Sequence, residues 1–175
     1  RIIAQHLLNT QAVKLRPQEP FTWASGLRSP IYCDNRVLLS HPSSRNDVKT
    51  MLADLIKKQY PEATAIVGVA TAGIAPGVLA ADALGLPFGY VRSEAKKHGM
   101  GKQIEGDIQQ SAKIVVVEDL VSTGKSSLEA IQTIRSGNFE VLGLVAIFTY
   151  GFPLATENFE NQKCPMYTLS NYHVL

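Results

Sequence analysis

The chain has 175 residues, of which 45% are hydrophobic and 18% charged, and this length suits one globular domain with its own core. A formal net charge of +2 is too small to indicate nucleic-acid binding. No apolar run reaches the roughly 18 residues of a membrane span, and Cys33 and Cys164 match no metal or redox spacing. We therefore expect a cytoplasmic protein with two reduced thiols, without nucleic-acid or membrane partners.

Hydrophobic periodicity and breaker residues divide the chain into alternating helices and strands. For example, 43–60 has an amphipathic helical pattern, and 63–70 is a short β-branched run typical of a buried strand. Because this alternation continues from 63 to 150, we predict an α/β fold with a mostly parallel central sheet flanked by helices. The predicted elements in chain order are a helix over 1–14, a loop over 17–36, a helix over 43–60, a strand over 63–70, a helix over 73–85, strands over 86–92 and 113–119, a helix over 124–138, a strand over 140–150 and a short strand over 164–172.

The stretch IVVVEDLVSTGKSS, residues 114–127, joins a buried strand to two acids and a hydroxyl-rich loop. Ligands of parallel sheets bind beyond the carboxyl ends of strands, where we expect Glu118 and Asp119 to lie. Gly124 permits a tight turn, and the N–H groups and hydroxyls that open the next helix can hold a phosphate. Since carboxylates repel phosphates, the two halves must contact different parts of one ligand. A sugar phosphate satisfies both.

Two other interpretations of this stretch fit less well. A P-loop for nucleoside triphosphates needs glycine five residues before Gly124, where the chain has Asp119. An ordinary capped turn explains the serines and threonine but not two acids at a strand end.

A second stretch, YVRSEAKKHGMGKQIEG at 90–106, is a basic loop punctuated by glycines between two strands. It is either a solvated surface loop or a lid that brings cations over a pyrophosphate. Cations in a lid stabilise the charge that develops on a leaving pyrophosphate more than they stabilise the ground state.

The two acids and the loop behind them resemble the signature of type I phosphoribosyltransferases, which use phosphoribosyl pyrophosphate (PRPP). Together with FTWASGLRSPIYCDNR at 21–36 and KKHG at 96–99, they resemble the orotate phosphoribosyltransferases of the bacterial type over nearly the whole chain. The resemblance implies one phosphoribosyltransferase domain over 1–175, with a small N-terminal hood at 1–40 and a lid loop at 92–108. The chain is short at its carboxyl end for this family, which predicts that a final helix is missing.

The resemblance also implies an activity and its site residues. The phosphoribosyl group of PRPP is transferred to orotate, which gives orotidine 5′-monophosphate and pyrophosphate in pyrimidine synthesis. Mg²⁺ is bound mainly through PRPP, without a direct protein ligand, and the enzyme is a homodimer whose lid reaches into the neighbour's site. Carried over by position, the catalytic residues are Arg92, Lys96, His98 and Asp119. The residues that bind PRPP are Arg92, Lys96, His98, Glu118, Asp119, Leu120, Val121, Ser122, Thr123, Gly124, Lys125 and Ser126; Thr71, Ala72 and Gly73 form a pyrophosphate turn, and Ser122 also contacts orotate.

The chain departs from the family pattern at four positions. Ala24, Ala72 and Ser93 stand where many members have lysine, and Tyr150 stands in place of an orotate-binding arginine. The site therefore has fewer fixed cations, and the residues expected to compensate are Lys97, Lys102, Arg28 and Arg36.

Two alternatives remain open at this point. A phosphoribosyltransferase for another base would share the sugar half of the site, because only the 21–36 segment and the far end of the sheet argue for orotate. A PRPP-sensing regulatory protein on the same fold would need a basic face or an added DNA-binding domain.

Overall fold

The computed structural model describes residues 1–22, 26, 28–92 and 104–175. Its helices are α1 (Ile2–Asn9), α2 (Pro42–Gln59), α3 (Ile74–Leu84), α4 (Lys125–Ser136) and α5 (Pro153–Asn161), with 3₁₀ helices at Asn35–Ser40 and Tyr172–Val174. Its strands are β1 (Val13–Leu15), β2 (Phe21–Thr22), β3 (Arg28–Ser29), β4 (Ile31–Cys33), β5 (Ala65–Val69), β6 (Phe88–Val91), β7 (Ile104–Glu105), β8 (Lys113–Val121), β9 (Glu140–Thr149) and β10 (Met166–Asn171).

Six strands form the central sheet, in the order β10-β9-β8-β5-β6-β7. All neighbours are parallel except β6 and β7, which are antiparallel. The predicted α/β fold with a mostly parallel sheet is thus confirmed. None of the helices in the described part of the chain combines the length and apolarity that crossing a membrane requires.

Strand β8 lies inside the sheet and divides the core into two layers, because successive side chains of a strand point to opposite faces. Val115 and Val117 pack with α1, α2 and α3, whereas Ile114 and Val116 pack with α4 and α5. All four side chains are fully buried. This alternation places the two acids that follow on different faces of the sheet.

The N-terminal segment differs from its prediction. The helix predicted over 1–14 ends at Asn9, and β1 follows it and pairs antiparallel with β4. The stretch predicted as a loop over 17–36 contains three short strands, since β2 also pairs with β3. These strands have only two or three residues each, too few to show an alternating pattern in the sequence.

The remaining predicted helices and strands are confirmed with small shifts at their ends. Two differences concern the site. Strand β8 extends two residues past its predicted end to Val121, because the ladder with β9 continues that far, so Glu118 and Asp119 lie inside the strand and not at its end. Helix α5 was not predicted, because its buried apolar contacts are limited to Ala155 and Phe159.

Candidate active site

The turn after β5 lies directly against β8, the neighbouring strand. A Cβ atom on Gly73 would lie 2.6 Å from the carbonyl oxygen of Val117 and 2.7 Å from that of Val69, so a side chain would force the turn away from the sheet. The peptide bond between Ala70 and Thr71 is cis. The structure therefore places Thr71, Ala72 and Gly73 beside the end of β8.

Glu118 is oriented toward α4 and is only 6% exposed. Its Oε2 accepts a hydrogen bond from the Ser127 hydroxyl at 3.3 Å, and its Oε1 accepts one from the Asp119 N–H at 3.0 Å. Burial raises the pKa of Glu118 well above its usual range, and the adjacent charge of Asp119 raises it further.

Asp119 is half-buried and lies on the opposite face from Glu118. It lines a small cavity together with Ala72 and Arg36. Burial raises the pKa of Asp119 as well, while a hydrogen bond with Glu118 and the charge of Arg36 oppose that rise. Glu118 is therefore the member of the pair that retains its proton longer, and Asp119 is the member that ionises first.

Asn35 supports Asp119 from the hood, residues 1–40. It is 2% exposed, and its Nδ2 donates to the Asp119 carbonyl oxygen at 2.7 Å. This contact spans 84 positions of sequence, so no local pattern could have revealed it. Asn35 fixes the backbone of the acid pair against the 3₁₀ helix Asn35–Ser40.

The predicted phosphate loop, residues 122–126, follows β8 and includes the first two residues of α4. Gly124 adopts the left-handed conformation at φ +80°, and a Cβ atom there would lie 2.6 Å from Cε2 of Phe159. No side chain of the described residues caps α4 at this end, and Lys125 and Ser126 are exposed. The helix start thus offers backbone N–H groups, a hydroxyl and an ammonium group to an anion.

Comparison with known proteins identifies this arrangement. A model of the phosphoribosyl transferase domain matches residues 35–164. The chain is 57% identical to the orotate phosphoribosyltransferase of Bacillus subtilis (strain 168) over 175 residues, which are 100% of this chain and 81% of that protein. The chain belongs to the orotate phosphoribosyltransferase family. The predicted family is thereby confirmed.

Two further relatives agree with this family. The orotate phosphoribosyltransferase of Cytophaga hutchinsonii is 55% identical over 173 residues, covering 99% of this chain and 83% of that protein. The crystal structure of orotate phosphoribosyltransferase from Aeropyrum pernix superposes with a TM-score of 0.87 at 30% identity, covering 98% of this chain and 94% of that one.

Of the three residues that the family resemblance assigns to the lid, the structure describes only Arg92. Arg92 follows β6, two strands away from β8, and its Nη1 lies 3.7 Å from Glu105 Oε1. Lys96 and His98 lie outside the described residues, as do Ser93, Lys97, Lys102 and Ala24. Of the four proposed catalytic residues, the structure therefore places only Arg92 and Asp119, and it puts them at different strands.

Leu120 and Val121 contribute differently from the other members of the phosphoribosyltransferase signature. Leu120 packs against the core on the hood side, and Val121 is buried. The Val121 carbonyl accepts the Thr149 hydroxyl at 3.0 Å. Their side chains complete the core, so any contact with a ligand falls to their backbone or to the exposed part of Leu120.

Tyr150, which replaces a family arginine, belongs to an aromatic row at the end of β9. Its ring centroid lies 5.6 Å from that of Phe148 and 5.7 Å from that of Phe152. Burial raises the pKa of Tyr150, so the phenol is neutral at physiological pH. Among the expected compensating cations that the structure describes, Arg36 lines the cavity beside Ala72, whereas Arg28 lies exposed on β3.

Proposed function

We propose that this chain transfers the phosphoribosyl group of PRPP to orotate, forming orotidine 5′-monophosphate and pyrophosphate in pyrimidine synthesis. The chain belongs to the orotate phosphoribosyltransferase family. The observation that carries the proposal is the order of three groups at the carboxyl end of its central sheet. The pyrophosphate turn, the acid pair and the phosphate loop follow one another on the adjacent strands β5 and β8.

PRPP is proposed to bind across these groups. The phosphate loop, residues 122–126, takes the 5′-phosphate through its N–H groups and hydroxyls. Asp119 accepts hydrogen bonds from the ribose hydroxyls. Glu118 is proposed for the same role, although its carboxyl group lies on the other face of β8 and is bonded to Ser127. Thr71, Ala72 and Gly73 lie along the pyrophosphate, and Ser122 contacts orotate.

The proposed reaction is a displacement at the anomeric carbon. A bond forms between a ring nitrogen of orotate and this carbon, while the bond to the pyrophosphate oxygen breaks through an oxocarbenium-like transition state. The electron pair of the broken bond leaves with pyrophosphate, and the nitrogen gives its proton to pyrophosphate or to water. Asp119, the acid that ionises first, favours the positive charge on the ribose, and Arg92, Lys96 and His98 favour the negative charge on the leaving group. The route needs no covalent bond to the protein.

Magnesium is proposed to bind mainly through the oxygens of PRPP. Within the described ranges, no group of three or more His, Cys, Asp or Glu side chains is arranged to hold a metal ion. Substrate phosphates are usual ligands of Mg²⁺, which keeps several of its waters, so the proposed ion needs no direct protein ligand. When bound, the ion neutralises charge on the pyrophosphate.

The proposed enzyme is a homodimer that shares its lid, residues 92–108, between subunits. Val91 pairs with Ile104, so both ends of the segment between them lie side by side at one edge of the sheet. From there, Arg92, Lys96 and His98 are proposed to serve the neighbour's site. The single domain over 1–175, the hood at 1–40 and the cytoplasmic location stay predictions.

The decisive experiment is an absorbance assay of orotate consumption. We expect turnover only when PRPP and Mg²⁺ are both present. The acid pair and the phosphate loop are proposed to bind PRPP, and Mg²⁺ is proposed to bind through the oxygens of PRPP. Equal or faster turnover of adenine, hypoxanthine or xanthine would contradict orotate as substrate while leaving the fold intact. PRPP binding without turnover of any base would favour the regulatory alternative.

A further inference from the structure

Helix α5 contacts the phosphate loop at a point that the family signature does not include. The Nδ2 of Asn158, on α5, donates to the carbonyl oxygen of Thr123 at 3.0 Å. Asn158 is half-buried, and the next residue, Phe159, is buried against Gly124. Two successive residues of α5 thus contact two successive residues of the loop.

The geometry of the peptide unit gives this hydrogen bond a consequence for ligand binding. The carbonyl oxygen of Thr123 and the N–H of Gly124 belong to one planar trans peptide and point in opposite directions. Because Asn158 holds the oxygen toward α5, the Gly124 N–H is directed away from α5. Gly124 is the residue that precedes α4, where backbone N–H groups can bind an anion.

The Gly124 conformation depends on the same helix. At φ +80° the residue reverses the chain into α4, and Phe159 occupies the space that a Cβ atom would need. Without the bond to Thr123, this peptide could rotate, since glycine restricts its neighbours less than other residues do. Asn158 therefore selects one orientation of a peptide that is intrinsically free to adopt others.

We propose that Asn158 is a positioning residue for the 5′-phosphate subsite, acting through the Thr123–Gly124 peptide without touching the substrate. The proposal rests on the proposed function, because it takes the loop's ligand to be the phosphate of a phosphoribosyl group. It predicts that a change at Asn158 weakens binding of the 5′-phosphate but not of the pyrophosphate, since the pyrophosphate turn follows a different strand.

The attachment of α5 does not depend on Asn158 alone. Gln132 Nε2 on α4 donates to Gln162 Oε1 at 2.9 Å, and Arg135 Nη1 donates to the Gln162 carbonyl at 2.8 Å. The Gln132 bond joins α4 to Gln162, the residue that follows α5, and does not reach Thr123 or Gly124. Gln132→Ala is therefore a control that removes a bond between α4 and the end of α5 but leaves the Thr123–Gly124 peptide with its partner.

The test compares the binding of ribose 5-phosphate and of pyrophosphate by calorimetry in full-length variants. We expect Asn158→Ala to weaken ribose 5-phosphate roughly 2- to 10-fold, the effect of losing one ordinary hydrogen bond. Asn158→Asp should weaken it more, because a carboxylate repels both the Thr123 carbonyl and the phosphate. Pyrophosphate affinity should not change in either variant, and Gln132→Ala should affect neither ligand.

Steady-state kinetics provide a second measurement. The KM for PRPP should rise in Asn158→Ala, with a smaller change in kcat, because the phosphate is bound in both ground and transition states. Equal weakening of both ligands, or the same behaviour in Asn158→Ala and Gln132→Ala, would overturn the proposal. Wild-type protein that binds ribose 5-phosphate but does not turn over orotate would overturn the proposed function, while a selective loss in the Asn158 variants would still support the positioning role.

Discussion

At the scale of single residues, the acid pair shows how one strand gives two adjacent carboxylates different environments. Glu118 and Asp119 are consecutive in β8, so their side chains point to opposite faces. Glu118 is fixed by Ser127 on the α4 face, whereas Asp119 lies in the cavity beside Ala72. The sequence predicts both acids, but their different environments follow from what packs on each face of β8, with Ser127 of α4 beside Glu118 and Ala72 and Arg36 beside Asp119.

Glu118 makes the stability of the protein depend on pH. Its folded-state pKa is raised above the ordinary value of 4.5, so its contribution to stability is fully present below that value and is lost as pH rises through the folded-state pKa. Glu118→Gln removes this ionisation. We therefore expect the stability of the variant relative to wild type to increase as the pH rises above 4.5, as measured by urea unfolding.

The control for this experiment is Glu157→Gln, which changes an exposed carboxylate on α5. Its stability should follow that of wild type across the pH range. If the free energies of unfolding of Glu118→Gln and wild type changed with pH in the same way, Glu118 would ionise alike in the folded and unfolded states. That result would contradict the prediction.

At the scale of elements, the sequence predicts those helices and strands whose pattern repeats over several turns or residues. Helix α2 shows its buried face as an amphipathic pattern, and strands β5, β8 and β9 show their burial on both faces as apolar runs. The short strands β1 to β4 have two or three residues each, too few for a local pattern to show. Helix α5 escaped prediction because only Ala155 and Phe159 of its nine residues are buried.

The same limit applies to the candidate site. The signature at 118–126 could be located from sequence because acids and hydroxyls follow an apolar strand there. Asn35 and Asn158 could not, since each acts through one backbone carbonyl that lies far away in the sequence. Supporting residues of this kind depend on tertiary packing.

Helices α1 and α2 are joined by a chain of three polar side chains. His6 Nδ1 lies 2.9 Å from the Ser44 hydroxyl, and His6 Nε2 lies 2.6 Å from Asp47 Oδ2. The residue types are those of a hydrolase triad, but Ser44 is only 3% exposed, which denies a substrate access to its hydroxyl. The arrangement instead holds the start of the hood against α2.

This interpretation predicts how much each of the three side chains contributes to the free energy of unfolding. His6→Ala should lower the free energy of unfolding by about 1–3 kcal/mol, because the buried Ser44 hydroxyl loses its partner. Asp47→Ala should cost at most about 1 kcal/mol, since that carboxylate is half-exposed. Urea unfolding of the His6→Ala/Ser44→Ala double variant should reveal a coupling of about 0.5–3 kcal/mol, whereas strictly additive effects would argue against the pairing.

At the scale of the whole molecule, the sheet order determines what one chain can supply to the site. The pyrophosphate turn and the phosphate loop lie on the adjacent strands β5 and β8, but Arg92 follows β6, one strand further out. Its ion pair with Glu105 holds it at the edge of the sheet. A lid that starts at this edge can serve its own site or that of a neighbouring subunit, so the shared site requires a direct test.

Mixing two inactive variants distinguishes these possibilities. If the lid serves the neighbour, a dimer of one Lys96→Ala chain and one Asp119→Asn chain contains one site with both lesions and one with neither. After random subunit exchange, turnover should return to about a quarter of the wild-type value per site, because half of the dimers are mixed and half of their sites are intact. A lid that serves its own chain leaves one lesion in every site, and mixing restores nothing.

A control pair makes the outcome specific. Asp119→Asn and Gly124→Ala both alter groups on β8 and the loop behind it, so their mixed dimers keep one lesion in each site under either arrangement. This pair should stay inactive while the pair that includes Lys96→Ala recovers. If native mass spectrometry detects the mixed dimers of Lys96→Ala and Asp119→Asn but no activity returns, the shared lid is wrong. The sugar-phosphate site is unaffected by that result, because its groups on β5, β8 and α4 all belong to one chain.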